Sequence, residues 1–191
     1  SMLNQKIKGL YGITPDKDLN IDHIEDAIKK YNIKILQYRR KVVNIKNKAE
    51  EAIILLNLCL EHNTLFIVND DVNLCEKVGA HGIHIGQGDI NAKSAREILG
   101  DKYIIGVTCH NSLELAVEAE RNGADYIALG AIFKSKNKPE TIHCSLSKVA
   151  EIKKNISIPI VGIGGINLKN QQIAYQSGCS SVAMIDCLFI E

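Results

Sequence analysis

At 191 residues the chain has the length of one compact domain, with enough residues to bury a full core. It is 46% hydrophobic and 24% charged, and a formal net charge of +1 gives no electrostatic reason to expect nucleic acid or a membrane surface as a partner. No apolar run approaches the roughly 20 residues that a membrane-spanning helix needs, and the N-terminus lacks the apolar block of a signal peptide.

Ser1 ahead of Met2 reads as an expression remnant, so one domain over 1–191 is expected. The six cysteines are dispersed, with no C-x-x-C and no zinc-like spacing. They read as reduced, structural thiols of a cytoplasmic protein.

Along the chain, short β-type apolar runs alternate with helical patterns. A strand at 9–14 leads to a helix at 21–31, and a strand at 34–39 to a helix at 46–62. Strands at 65–68 and 82–85 precede helices at 72–78 and 92–99. Strands at 103–108, 126–132 and 159–163 precede helices at 112–122, 146–155 and 168–177, and an eighth strand spans 181–185. Gly79, Gly100, Gly123 and Gly178 follow helical patterns, where a left-handed cap favours glycine, and Ser112 reads as an N-cap. Eight strands with seven intervening helices fit a parallel (β/α)8 barrel, with a doubly wound open sheet as the rival. After strand eight only 187–191 remain, so the eighth helix is expected to be short or missing. Apolar surface exposed there would favour a homodimer.

In such a barrel the active site lies at the C-terminal strand ends. Strand two ends Gln37-Tyr38-Arg39-Arg40-Lys41, and alternation sends Gln37, Arg39 and Lys41 to one side and Tyr38 and Arg40 to the other. Two cations on one side suit a phosphate, although a solvated basic turn fits as well. Strand three ends Asn69-Asp70-Asp71, in which Asp71 reads as a helix N-cap and Asp70 has no evident structural duty. Strand four ends Gly86-Gln87-Gly88-Asp89. Neighbouring strands lie about 5 Å apart, so Asp70 and Asp89 could share one hard cation such as Mg2+. Asp89 could equally cap the following helix, and His84 reads more readily as a satisfied core histidine than as a ligand.

Thr108 could donate to a phosphate oxygen or bond its own turn. His110 has the chemistry of a general acid–base or of a turn-stabilising residue. Cys109 and His110 are adjacent in a strand and point to opposite faces, which argues against a nucleophile–base pair. The loop after strand six carries Lys134, Lys136 and Lys138, a candidate anion clamp or a solvated charge run. Strand seven ends Gly162-Ile163-Gly164-Gly165, where free backbone N–H groups would suit a phosphate.

Six stretches, Gln37-Tyr38-Arg39-x-Lys41, Asn69-Asp70-Asp71-Val72, Gly82-x-His84-x-Gly86-Gln87-x-Asp89, Gly106-Val107-Thr108, Gly130-x-Ile132-Phe133 and Ile163-Gly164-Gly165-Ile166, occur in family order. By them the chain resembles the thiamine phosphate synthases over almost its whole length, with the thiazole tautomerases as near kin. The resemblance implies a TIM barrel that joins hydroxymethylpyrimidine diphosphate to a thiazole phosphate, releasing pyrophosphate. It implies that Gln37, Tyr38, Arg39, Arg40, Lys41, Asn69, Thr108 and Lys138 hold the pyrimidine diphosphate, with Arg39, Lys41, Lys138 and Thr108 assisting the chemistry. Asp70 and Asp89 would hold Mg2+. Ser135, Lys136, Asn137, Gly165, Ile185 and Asp186 would face the thiazole phosphate.

Three departures from the family pattern stand out, one of them the short or missing eighth helix. The loop after strand six reads Lys134-Ser135-Lys136-Asn137-Lys138 where the family usually has Pro-Thr-x-Thr-Lys. Asp186 stands where the family usually has a small serine. Two rival readings remain: a tautomerase-like enzyme with His110 moving the proton, and a degenerate homologue that only binds a ligand or partner.

Overall fold

The computed structural model describes residues 4–41, 47–134 and 140–190. Its strands are β1 (Gly9–Ile13), β2 (Ile35–Tyr38), β3 (Leu65–Asn69), β4 (Gly82–Ile85), β5 (Ile104–His110), β6 (Tyr126–Leu129), β7 (Ile160–Gly162) and β8 (Ser181–Met184). Each pairs in parallel with the next, and β8 returns to β1 through Gly9↔Ser181 to Gly12↔Met184, closing the barrel. The helices are α1 (Ile21–Tyr31), α2 (Lys48–Glu61), α3 (Val72–Val78), α4 (Ala92–Leu99), α5 (Leu113–Arg121), α6 (Leu146–Asn155), α7 (Gln171–Ser177) and α8 (Asp186–Phe189). The expected (β/α)8 barrel is the observed fold, and the open sheet is excluded.

Strand alternation builds two cores. One parity, including Tyr11, Ile13, Ile35, Ile67, Ile104, Tyr126, Val161 and Ala183, fills the barrel. The other, including Leu36, Phe66, Ile83, Ile105, Ile127, Ile160 and Val182, packs beneath the helices. The strands are buried on both faces, as a parallel sheet covered by helices requires.

Helix ends follow local chemistry where a cap is present. Asn20, Asp71, Asn91 and Ser145 each accept a backbone N–H three residues on, starting α1, α3, α4 and α6 at the expected positions. Asn47 does the same for Glu50, so α2 starts at Lys48 rather than at 46. Helix α7 begins at Gln171 rather than 168, because Asn167 and Asn170 bond each other's backbone in a tight turn first.

Two strand ends also differ. Strand β5 runs on to His110 through a register shift after Thr108, whereas β6 stops at Leu129 instead of 132. Beyond Leu129 the ladder is broken at Ala131, whose N–H donates to Ile142 O and whose O accepts from Cys144 N–H, while Ile132 N–H still donates to Ile163 O. The eighth helix is a single turn. It covers the β8–β1 seam by burying Leu188 and Phe189, and a Cβ on Gly12 would lie 2.9 Å from Phe189 Cζ.

Candidate active site

The ends of β2, β3 and β4 bring one ammonium and two carboxyls together. Lys41 Nζ donates to Asp70 Oδ2 at 2.6 Å, and the Asp70 and Asp89 carboxyls lie within hydrogen-bonding reach of each other. Asp70 has φ +62°, a left-handed conformation that Asp tolerates better than most residues, and its N–H donates to His84 O across the strand ends. Asp89 Oδ2 accepts from Gly86 N–H at 2.9 Å, closing its own turn. Its contact with Asp70 raises the Asp89 pKa. Burial opposes ionisation of Asp70, yet its hydrogen bonds with Lys41 and Asp89 hold its pKa below the usual carboxylate value. Two touching carboxyls beside a cation are an arrangement that an oxygen-seeking divalent ion relieves.

The helix-cap alternatives resolve residue by residue. Asp71 caps α3 through Leu74 N–H, whereas α4 is capped by Asn91 and not by Asp89. A second cluster, Glu25, Glu61 and His62, lies on α1 and at the end of α2, where His62 Nε2 is 2.9 Å from Glu25 Oε2 in a hydrogen bond.

Sequence reading missed what steadies the β2 end. Asp16 Oδ1 accepts from Lys41 N–H at 3.1 Å, Asp16 Oδ2 lies 4.0 Å from Arg39 Nη1, and Thr14 Oγ1 accepts from Arg39 N–H. The side chains of Tyr38 and Arg40 take the opposite direction. They point outward to α2, where Tyr38 Oη donates to Glu51 Oε1 at 2.6 Å and Arg40 grips both Glu51 oxygens at 2.9–3.1 Å. Alternation had separated them from Gln37, Arg39 and Lys41. Their side chains therefore tie β2 to α2 and are not among the groups facing the barrel mouth.

Below the mouth runs a buried chain of hydrogen bonds that sequence reading also missed. Gln37 Nε2 donates to Tyr11 Oη at 2.7 Å, and Tyr11 Oη is 2.7 Å from Tyr126 Oη. Tyr126 Oη is 2.9 Å from His84 Nδ1, and His84 Nε2 is 2.8 Å from Thr108 Oγ1. His84 is thus the satisfied core histidine, and burial lowers its pKa to about 4, so it is neutral at pH 7. Gly106 makes room for this chain, since a Cβ there would collide with the Tyr126 ring. The available signal was parity: Tyr11, Gln37, His84, Thr108 and Tyr126 all occupy inward positions.

Thr108 also lines a cavity of about 920 Å³ over β5 to β8, bordered by His110, Lys134, Glu140, His143, Gly164, Gly165, Ile185 and Asp186. Gly164 and Gly165, at φ +101° and +63°, pass close to Ala131 and Phe133, so side chains there would be both strained and obstructed. Asp186 opens the single-turn α8 and faces this same cavity lining. Glu140 and His143 went unremarked in the sequence because nothing local marks their loop as part of the mouth. Cys109 is buried, with its thiol pushed up to about 12, and forms no nucleophile–base pair with His110. The expected contributions of Ser135, Lys136, Asn137 and Lys138 lie outside the described residues.

Residues 10–188 match a family model described as thiamine monophosphate synthase. A thiamine-phosphate synthase from Nitrosococcus oceani is 40% identical over 190 residues, covering 98% of this chain and 88% of its own length. One from Thioalkalivibrio sulfidiphilus is 39% identical over 188 residues, covering 97% and 89%. Among solved structures, a thiamine phosphate pyrophosphorylase from Pyrococcus furiosus superposes with TM-score 0.86 at 31% identity, over 96% of this chain and 88% of that one. An aldolase from Escherichia coli K12 superposes with TM-score 0.70 at 14% identity, over 96% and 78% respectively, which reflects the barrel alone.

Proposed function

We infer the chemistry of this site from one premise: the chain belongs to the thiamine monophosphate synthase family. It is a transferase of thiamine biosynthesis acting on small phosphorylated substrates. In the reaction we propose, the C–O bond between the pyrimidine methylene and the diphosphate breaks, and its electron pair leaves with pyrophosphate. The thiazole nitrogen then supplies the pair for the new C–N bond, giving thiamine phosphate.

Such a route depends on leaving-group electrostatics more than on a general base. Arg39 and Lys41 are our candidates for the diphosphate oxygens, with Thr108 as a neutral donor and Gln37 and Asn69 beside them. Lys138 is the further cation we assign to that group. Asp70 and Asp89 are the residues we assign to Mg2+, which when bound would neutralise charge building on the departing pyrophosphate. The acceptor would enter the cavity beside Gly165, Ile185 and Asp186, and Ser135, Lys136 and Asn137 are the further residues we assign to its phosphate.

The observation that carries this reading is the Lys41–Asp70–Asp89 cluster beside the inward-facing Thr108. Incubation with both substrates and Mg2+, followed by mass detection of thiamine phosphate, tests it. Pyrimidine diphosphate binding without turnover would instead indicate a ligand-binding homologue.

A further inference from the structure

We propose that His84 is a positioning residue, locked by Tyr11 and Tyr126 as its Nε2–H tautomer so that the Thr108 hydroxyl must donate into the cavity. The assignment follows from counting protons along the chain. Gln37 Nε2 is a donor only, so Tyr11 Oη accepts at 2.7 Å and its own O–H is left for Tyr126 Oη. Tyr126 in turn spends its O–H on His84 Nδ1 at 2.9 Å. A bare Nδ1 places the single proton of the neutral ring on Nε2, which donates to Thr108 Oγ1 at 2.8 Å. The Thr108 oxygen is then an acceptor toward His84, and its proton is available on the cavity side.

The order is not a matter of indifference to the ligand. If the chain ran backwards, Thr108 would donate to His84 and turn lone pairs toward the cavity, where an anionic oxygen would be repelled. Each member from Gln37 to His84 is buried, so an unmade bond would leave an expensive unpaired group and the chain is held in one direction throughout. Burial also keeps both phenols protonated: Tyr11 is pushed up to about 12 and Tyr126 is raised well above its ordinary value. None of these residues other than Gln37 and Thr108 has a role in the site described above. The proposal rests on the reading that Thr108 meets the diphosphate, and it adds what makes that threonine a donor.

Nitrogen NMR of the histidine-labelled protein should show His84 protonated at Nε2 and bare at Nδ1; the opposite tautomer would overturn the proposal. Calorimetry with Mg2+ and inorganic pyrophosphate gives a second test that needs no turnover, so failure of the synthase activity and failure of this relay are read separately. Thr108→Val should weaken pyrophosphate binding about tenfold, the size of one charge-assisted hydrogen bond, and Thr108→Ser should restore it. Tyr126→Phe removes one buried oxygen and frees the ring to change tautomer, so it should lose part of the same factor. The double variant Tyr126→Phe/Thr108→Val should bind no more weakly than Thr108→Val alone. Additive losses, or a Tyr126→Phe protein that binds like the parent, would overturn the relay.

Discussion

Lys41 Nζ, at the end of β2, reaches Asp70 Oδ2, at the end of β3, at 2.6 Å, and Asp70 in turn touches Asp89 at the end of β4. Three consecutive strand ends thereby meet at one point of negative charge that the Lys41 ammonium partly compensates. Asp70 and Asp89 are the residues that would hold a divalent ion, and Lys41 would then be available to a phosphate oxygen.

Asp70→Ala and Asp89→Ala should each reduce synthase activity by about two orders of magnitude or more, with the barrel still folded. EDTA should abolish activity of the parent protein, and added Mg2+ should restore it. Activity indifferent to EDTA and to both substitutions would remove the metal from the mechanism.

The Arg40 side chain is only 5% exposed and its charge is met by Glu51. Glu51→Ala should cost about 3 kcal/mol in urea unfolding, because it leaves a buried guanidinium unpaired. The KM values for both substrates should stay within about twofold of the parent, since neither Tyr38 nor Arg40 directs its side chain at the mouth. A large KM change with unaltered stability would return these side chains to the binding site.

His84 carries a pH dependence whose sign is set by burial beside Tyr126, Thr108 and Asp70. Its folded pKa, about 4, lies below the ordinary 6.5, so the unfolded chain binds the extra proton between those values. Its contribution is present above pH 6.5 and is lost as the pH falls toward 4, by up to about 3 kcal/mol. Urea unfolding with EDTA present at pH 7 and pH 5 should show a smaller difference for His84→Gln than for the parent. Equal differences would mean that the ring is charged in the fold.

Asp186 puts a carboxylate on the cavity that we assign to the thiazole phosphate. Asp186→Ser should lower the KM for that substrate by about threefold or more by removing a like charge, leaving the pyrimidine diphosphate KM unaltered. An unchanged acceptor KM would mean that the carboxylate does not oppose the phosphate.

How far the chain could be read in advance varies from one residue to the next. The caps of α3 and α5 were legible because Asp71 and Ser112 act on N–H groups three residues away, whereas Asn20, Asn91 and Ser145 emerged as caps only in the fold. The end of β6 was not legible, because Ala131 leaves the ladder for Ile142 and Cys144, partners that no local pattern announces. Alternation separated Gln37, Arg39 and Lys41 from Tyr38 and Arg40 correctly. It did not say which side faced α2, and Glu51 made that choice.

By itself the sequence determined the alternation of eight strands with helices and the strand ends at which Asp70, Asp89, Lys41 and Thr108 stand. Those are properties of spacing and period, which any window of the chain carries. Only the tertiary structure decided which of these groups touch, and it added Tyr11 and Tyr126, whose rings the sequence presents as ordinary core. Tyr11 and Tyr126 are 115 positions apart. Their 2.7 Å hydrogen bond exists because closure of the barrel brings the inward faces of β1 and β6 across a common interior.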